Sequence, residues 1–458
     1  LPSLSRRLAA WAAALRYEDL PDDVVDRAKG LTLHALASAM LGASTAGGQS
    51  ALRLMQEEDG AGPATVLVEG TKLTKGGAAF VNSEMVYAGG KWDTFRMLTH
   101  PGSSIVPAAL IAAECQGASG RDYLTGLAAG YEVTVRLASD FIPSVMARGF
   151  HASPVFGIFG AAAAAAKIAG YDAEGLHRTL AECVSLASGN IESARSGGAR
   201  LREGFAVRNA MLAVAMARQG VPAGETVFEG EAGFYHAFTG NNQGRLAYAF
   251  EGPATTDVEA IAEGLGSRWR MLETLYRIYS IAGYNIAHID VTAGLCAEHG
   301  IRAADVERVE AVVNWMETQY PSPAFPDPSR VNVARPGSTH YYAAYAIIEG
   351  GFPLLKTGPS DDDPPEVADL LRRVDIVPSK TQPLSAPKIT IHLKDGRSVS
   401  REATGREFIW DFEEEARRLR GVIPGLPVPE ARFDDIVDAC RNLDLLPRAD
   451  DLIRLTLR

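Results

Sequence analysis

From Leu4 to about Gly264, leucine, alanine, valine and methionine return at three- and four-residue intervals, and each run stops at a glycine or proline cluster. That spacing predicts a succession of helices with few strands. One starts at Pro21-Asp22-Asp23 and runs through Val24, Val25, Ala28, Leu31, His34 and Ala35, which puts His34 in an apolar stripe and makes it a core residue. Further helices are expected over 102–116, 122–140, 157–169, 173–188 and 204–219. Gly160 followed by Ala161 to Ala166 gives one of them a face small enough for a neighbouring helix to approach closely. Near Gly266 the pattern changes. Val306 to Trp315 alternates as a strand does, and Lys394-Asp395-Gly396 separates 389–393 from 398–401 as a hairpin turn. Helical spacing also marks 286–298 and 341–349, and it returns at 412–419, 433–443 and 450–457. The proline-rich stretches 321–328 and 353–365 read as loops. The expected fold is mainly α: a large all-helical domain over 1–265, a smaller α+β domain over 266–403, and C-terminal helices, 404–458, returning to the first.

Composition narrows the partners. A chain of 458 residues has room for such an arrangement, and a net charge of −11 argues against a nucleic-acid or anionic-membrane surface. Charged residues interrupt every alanine-rich run before the roughly twenty residues that a bilayer requires. The four cysteines, Cys115, Cys183, Cys296 and Cys440, form no CxxC pair or metal-ligand cluster, and read as reduced core residues. The stretch from Leu1 to Arg16 lacks a basic segment followed by an apolar signal core, so the cytoplasm is the expected compartment.

The candidate chemistry lies in two turns, Thr99-His100-Pro101-Gly102 and Gly149-Phe150-His151-Ala152-Ser153-Pro154, each opening a helix of small side chains. A helix start offers unbonded N–H groups and a partial positive charge, so a histidine there sits beside a seat for a carboxylate. Either histidine alone reads equally as a capping or packing residue; together they suit acid–base chemistry on an anion. Asp93-Thr94 precedes the first turn closely enough to share its loop, where a carboxylate can fix a histidine's tautomer. Arg195, Arg200, Arg202 and Arg208 crowd the region around Ser196-Gly197-Gly198 and read either as a carboxylate anchor or as a solvated basic face. Arg277, Tyr279, Tyr284 and His288 lie near one helix start in the second domain. No dinucleotide, phosphate-loop, nucleophile-elbow or HExxH motif is present, so chemistry without a metal or cofactor is expected.

Thr99-His100-Pro101-Gly102 with Pro107-Ala108, Gly117-Ala118-Ser119-Gly120, Gly130-Tyr131-Glu132, Gly149-Phe150-His151, Glu229-Gly230 and Gly233-Phe234-Tyr235, in that order, resemble the MmgE/PrpD family. The resemblance covers nearly the whole chain. It implies a helical domain with an α+β lid, a homodimer, and metal-free dehydratase, decarboxylase or epimerase chemistry on small polycarboxylates. It makes His100 and His151 the active-site histidines, with Asp93 and Thr94 beside them. The chain departs from the family pattern in several places. Gly90 stands where an aspartate is usual and Tyr87 where a histidine is usual; Ala199-Arg200-Leu201-Arg202-Glu203-Gly204 replaces Lys before Leu-His-x-Gly; Arg277-Ile278-Tyr279-Ser280 replaces Lys-x-Tyr-Pro. Tyr320 falls about where the decarboxylase places a lid tyrosine.

These readings lead to a cofactor-independent lyase, a dehydratase or decarboxylase, acting on a small carboxylate other than the usual tricarboxylate. His100 and His151 exchange protons, Arg200 and Arg277 anchor carboxylates, and Tyr87, Tyr279 or Tyr320 serves as a further donor. Two alternatives stand beside it: an epimerase or isomerase working by proton exchange, and a noncatalytic carboxylate-binding member of the family.

Overall fold

A computed structural model describes residues 2–196, 202–327 and 333–458. The fold is mainly α with a smaller α+β part, in two compact units: Leu1–Leu246, Thr255–Tyr276 and Trp410–Arg458 form the first, Ala247–Ala254 and Arg277–Ile409 the second. No helix among the described residues is long and apolar enough to cross a membrane.

The first unit is built around the helix Ala152–Ile168, which packs against Pro101–Gln116, Gly120–Ala138, Ala173–Leu186 and Arg202–Arg218. Its small residues explain why it can hold the centre. A Cβ added at Gly160 would lie 2.0 Å from Thr134 Oγ1 and 2.4 Å from Gly130 O, so the helices Gly120–Ala138 and Ala152–Ile168 meet backbone to backbone. Ala161 to Ala166 are buried throughout. The helix Asp22–Ala43 packs on Lys75–Gly89, and the C-terminal helices Phe412–Leu419 and Glu430–Arg441 pack on it in turn. His34 is buried in this helix, with Nδ1 2.7 Å from Glu415 Oε1, so the apolar stripe carries a polar tie at its centre.

Two ends of these helices matter for the site. Lys75–Gly89 closes on Gly90 in the left-handed conformation, φ 76°, which turns the chain into the strand Trp92–Thr94. Gly149, at φ 83°, makes the turn into His151. That turn is pinned by 189–191, through bonds from the His151 N–H to Gly189 O and from the Ile191 N–H to Gly149 O, both 2.9 Å.

The second unit carries a four-stranded sheet. Val306–Asn314 lies parallel to Val374–Ser379, with Val309 opposite Val374, and antiparallel to Lys388–Leu393, with Val309 opposite Ile391. Ser398–Glu402 completes the sheet beyond the Asp395-Gly396 turn. The helices Ile286–His299 and Thr339–Glu349 pack on each other and on the sheet.

Candidate active site

His100 and His151 are the N-cap residues of the helices Pro101–Gln116 and Ala152–Ile168, and both are buried. Ser153 ties them together: its Oγ accepts the His100 backbone N–H at 3.1 Å, and its own N–H faces His151 Nδ1 at 3.3 Å. His100 Nδ1 lies 3.0 Å from the Asp93 carbonyl oxygen and 3.2 Å from Thr94 Oγ1. A carbonyl can only accept, so the hydrogen sits on Nδ1 and the neutral ring's basic nitrogen is Nε2. The tautomer is thus held by the Asp93 backbone instead of by its carboxylate. The carboxylate is engaged elsewhere, accepting the Gly102 N–H at 2.9 Å and the Tyr131 hydroxyl at 2.7 Å. It therefore fills the seat at the start of Pro101–Gln116 that the sequence offers to a ligand. Burial pushes the Asp93 carboxyl up to about 6, against the lowering pull of Tyr131 and the Gly102 N–H.

A second arc of side chains closes the site on the other side. Arg202 Nη2 lies 3.1 Å from His151 Nε2 and 2.7 Å from Tyr87 Oη, and the guanidinium carbon sits 5.2 Å from the Tyr87 ring centre. Tyr87 stacks on Trp92 at 4.4 Å with planes 13° apart, and Trp92 rests against His100 at 4.7 Å. Tyr87 and Arg202 therefore touch each other. His151 is held well below its ordinary value, first by burial, then by Arg202 and His100. The residues Tyr87, Asp93, Thr94, His100 and His151 are therefore together in one place.

Beneath the arc lie two acids that the sequence reading does not single out. Glu203 is fully buried; its Oε2 accepts the Ser153 hydroxyl at 3.1 Å, and its Oε1 is 3.6 Å from Arg202 Nε. Glu84 accepts the Gly204 N–H at 2.6 Å. Burial pushes Glu203 up to about 7 and Glu84 up to about 8, so at neutral pH Glu84 is largely a neutral acid. The available signal was a lone glutamate among Val81, Met85 and Val86 on an apolar helix.

Arg200 lies outside the described residues, as does the side chain of Arg195. Arg208 pairs with Asp59, away from the histidines. In the second unit Arg277 is buried at the end of the strand Leu275–Arg277. Tyr279 donates its hydroxyl hydrogen to Asp290 Oδ1 at 2.7 Å and packs on Phe352 and Phe408, so that proton is already engaged. Tyr320 packs on Tyr284, ring centres 5.1 Å apart. His288 is fully buried, and neither ring nitrogen has a hydrogen-bond partner among the described residues; burial and His340 lower it to about 3. Among the described residues no group of three or more His, Cys, Asp or Glu side chains is placed to hold a metal ion.

The remaining sequence motifs have structural work. Gly130 faces Gly160, Tyr131 holds Asp93, and Glu132 accepts the backbone N–H groups of Arg270 and Met271 while pairing with Arg136 at 2.6 Å. The MmgE/PrpD N-terminal domain matches residues 6–247, more than half of the chain. The chain belongs to the MmgE/PrpD family. Among its relatives in this family is the cis-aconitate decarboxylase of Aspergillus terreus, 27% identical over 480 aligned residues that span 99% of this chain and 95% of that protein. The human and mouse cis-aconitate decarboxylases are each 26% identical, with 87% of this chain and 82% of the relative aligned. The family match covers the Asp93, His100, His151 and Arg202 positions, so the arc described above lies within its N-terminal domain.

Proposed function

We propose that the protein is a lyase that removes carbon dioxide or water from a small carboxylate, with His100 and His151 exchanging the proton and Arg202 holding a carboxylate. The observation that carries this reading is the coupling of two buried imidazoles at adjacent helix starts through Ser153, with a guanidinium against one of them. Family membership and the decarboxylase relatives support it at the level of reaction class.

The same groups serve either elimination. In decarboxylation the bond to the departing carboxylate breaks, its electron pair stays on the substrate carbon, and an imidazolium delivers a proton there. In dehydration one imidazole takes the proton from the carbon beside a carboxylate, and hydroxide leaves with a proton from the other, as water. A positioned acid or base contributes roughly 10²- to 10⁴-fold to such steps. Arg202 supplies the bidentate carboxylate recognition that a lysine cannot; Arg277 and Arg200 are further proposed anchors, and Tyr87 and Tyr320 further proposed donors. The departures from the family pattern at Tyr87, Gly90, the segment 199–204 and Arg277, the last two at lysine positions, favour a substrate that differs from the usual tricarboxylate. The scheme uses side chains alone and calls on no cofactor.

The test is incubation of the purified protein with a panel of hydroxy and unsaturated di- and tricarboxylates, cis-aconitate included, in deuterated water, with products read by NMR. Loss of carbon dioxide with one deuteron taken up at the carbon it leaves, or loss of water with a new double bond, supports the lyase. Deuterium exchange without loss of either favours the epimerase reading. No change across the panel contradicts both.

A further inference from the structure

The loop that joins Asp93-Thr94 to His100 is strained. Among the described residues, four that are not glycine hold a positive φ, namely Val68, Arg96, Leu98 and Ser385, and two of the four fall within 95–99. Arg96 stands at φ 55° and Leu98 at φ 58°, in the left-handed region that a side chain with a Cβ disfavours. Neither has the short polar side chain with which asparagine or aspartate eases that conformation. The nearby turns at Gly90 and Gly149 use glycine for the same region. Packing and hydrogen bonding hold the loop in place. The Phe95 N–H donates to Thr99 O at 2.9 Å, Phe95, Met97, Leu98 and Thr99 are buried, and Arg96 Nη2 lies 3.4 Å from Glu273 Oε2. The two left-handed steps let the chain turn back on itself, so the Asp93 carbonyl and Thr94 Oγ1 at one end face His100 Nδ1 at the other, at 3.0 and 3.2 Å. A disfavoured backbone of this kind persists only where its surroundings enforce it, and such places cluster at functional sites.

We propose that Arg96 and Leu98 are positioning residues for His100: their left-handed steps hold the Asp93 carbonyl and the Thr94 hydroxyl against Nδ1, which keeps the ring hydrogen there and the basic lone pair on Nε2. The inference rests on the reading of His100 as a proton-exchanging group, and it names what fixes the nitrogen that group uses. Each residue acts through the backbone it bends, not through its side chain. A carbonyl accepts only, so the Nδ1–H form is the one this loop selects. If the chain relaxed at either step, the two ends of the loop would separate and the ring would lose the acceptor that decides between its tautomers. Glycine at 96 and 98 would make the same turn without steric cost, but it adopts negative φ as readily, so the loop would no longer define one position for the Asp93 carbonyl. Leu98, fastened by burial, and Arg96, fastened by Glu273, leave the loop one shape.

The test separates backbone from side chain at Leu98. Leu98→Ile keeps the volume and the apolar surface but branches at Cβ, the kind of side chain that the left-handed region tolerates least; Leu98→Met stays unbranched there and is its control. The full-length protein is labelled with ¹⁵N-histidine, the His100 signals among the nine histidines are assigned from a His100→Gln variant, and the Nδ1–H and Nε2–H forms are compared at about pH 8, where an ordinary imidazole is neutral. The Nδ1–H form should dominate in the wild type and in Leu98→Met. In Leu98→Ile its ratio to the Nε2–H form should fall by about fivefold or more, the equivalent of a hydrogen bond worth about 1 kcal/mol. Unchanged signals from His34 and His177 would show that this variant is folded. Arg96→Val makes the same change at a side chain only about a third exposed, where less packing is at stake, and should lower the ratio too. A ratio that holds still in both Leu98→Ile and Arg96→Val would overturn the proposal, as would one that falls as far in Leu98→Met as in Leu98→Ile, or a wild type already in the Nε2–H form. The reading of the site as a carboxylate lyase is tested apart from this, by calorimetry with tricarballylate, a saturated tricarboxylate without the double bond for elimination. If neither tricarballylate nor any carboxylate of the panel binds, that reading is removed, while the tautomer ratios still decide whether the loop holds His100.

Discussion

Replacing Glu84 by glutamine should stabilise the protein, and by more as the pH rises. The carboxyl is buried beside Glu203, accepts the Gly204 N–H at 2.6 Å, and is pushed by burial from an ordinary 4.5 up to about 8. Its proton is therefore bound more tightly in the folded chain than in the unfolded one. The stability this confers is complete below pH 4.5 and is lost as the pH climbs from 4.5 towards 8, because the unfolded chain gains by ionising where the folded chain cannot. At pH 7 the unfolded glutamate has lost its proton by some 2.5 decades, at about 1.4 kcal/mol per decade, so folding is weakened by about 3 kcal/mol relative to pH 4. Glutamine has the same shape, keeps an oxygen for the Gly204 N–H, and has nothing to ionise. Chemical denaturation at pH 5 and pH 8 measures the difference. The variant should gain about 1 kcal/mol over the wild type at pH 5 and about 4 kcal/mol at pH 8. A difference that is constant with pH, or a variant that is the less stable at pH 8, would mean that Glu84 is ionised and paired in the fold, and would remove the neutral floor beneath Arg202.

Other changes read out other parts of the arc. Ser153→Ala deletes the acceptor for the His100 N–H and the donor to Glu203; the buried groups left behind cost about 1–3 kcal/mol of stability, and kcat should fall by at least about tenfold as the histidines lose their common tether. Tyr87→Phe keeps the stack on Trp92 and removes only the bond to Arg202, so it should raise KM by about tenfold, the worth of roughly 1.5 kcal/mol, with a smaller effect on kcat. Gly160→Ala places a methyl group 2.0 Å from Thr134 Oγ1 and should cost about 1–3 kcal/mol in denaturation, with the site chemistry changed only through that loosening.

Most of the helical architecture was legible because its signal is local. The predicted segments 102–116, 286–298 and 412–419 correspond to helices Pro101–Gln116, Ile286–His299 and Phe412–Leu419, and the Asp395-Gly396 hairpin lies where the turn chemistry places it. The helix through His151 starts at Ala152, five residues before the predicted 157, because His151 itself caps it and Pro154 sits within its first turn. The strand Val374–Ser379 gave no clear pattern: it lies at the sheet edge, where Pro378 is tolerated and burial is partial. In the site, the two histidines announced themselves through their turns. Ser153, Glu84, Glu203 and the contact between Tyr87 and Arg202 did not, since each depends on helices far apart in sequence meeting at one point. Asp93 shows the limit most clearly: its place beside His100 was readable, but which of its oxygens faces the imidazole depends on Tyr131, thirty-eight residues away.

The most direct measurement is the turnover of whichever carboxylate the panel identifies by His100→Gln and His151→Gln, set beside the affinity of each variant for tricarballylate. Both substitutions keep a polar side chain of similar reach and remove the group that exchanges a proton. If the imidazoles carry the proton transfer, kcat falls by about 10²- to 10⁴-fold in each variant while the dissociation constant stays within about threefold. Undiminished turnover in both variants, with binding intact, would show that the proton moves through other groups.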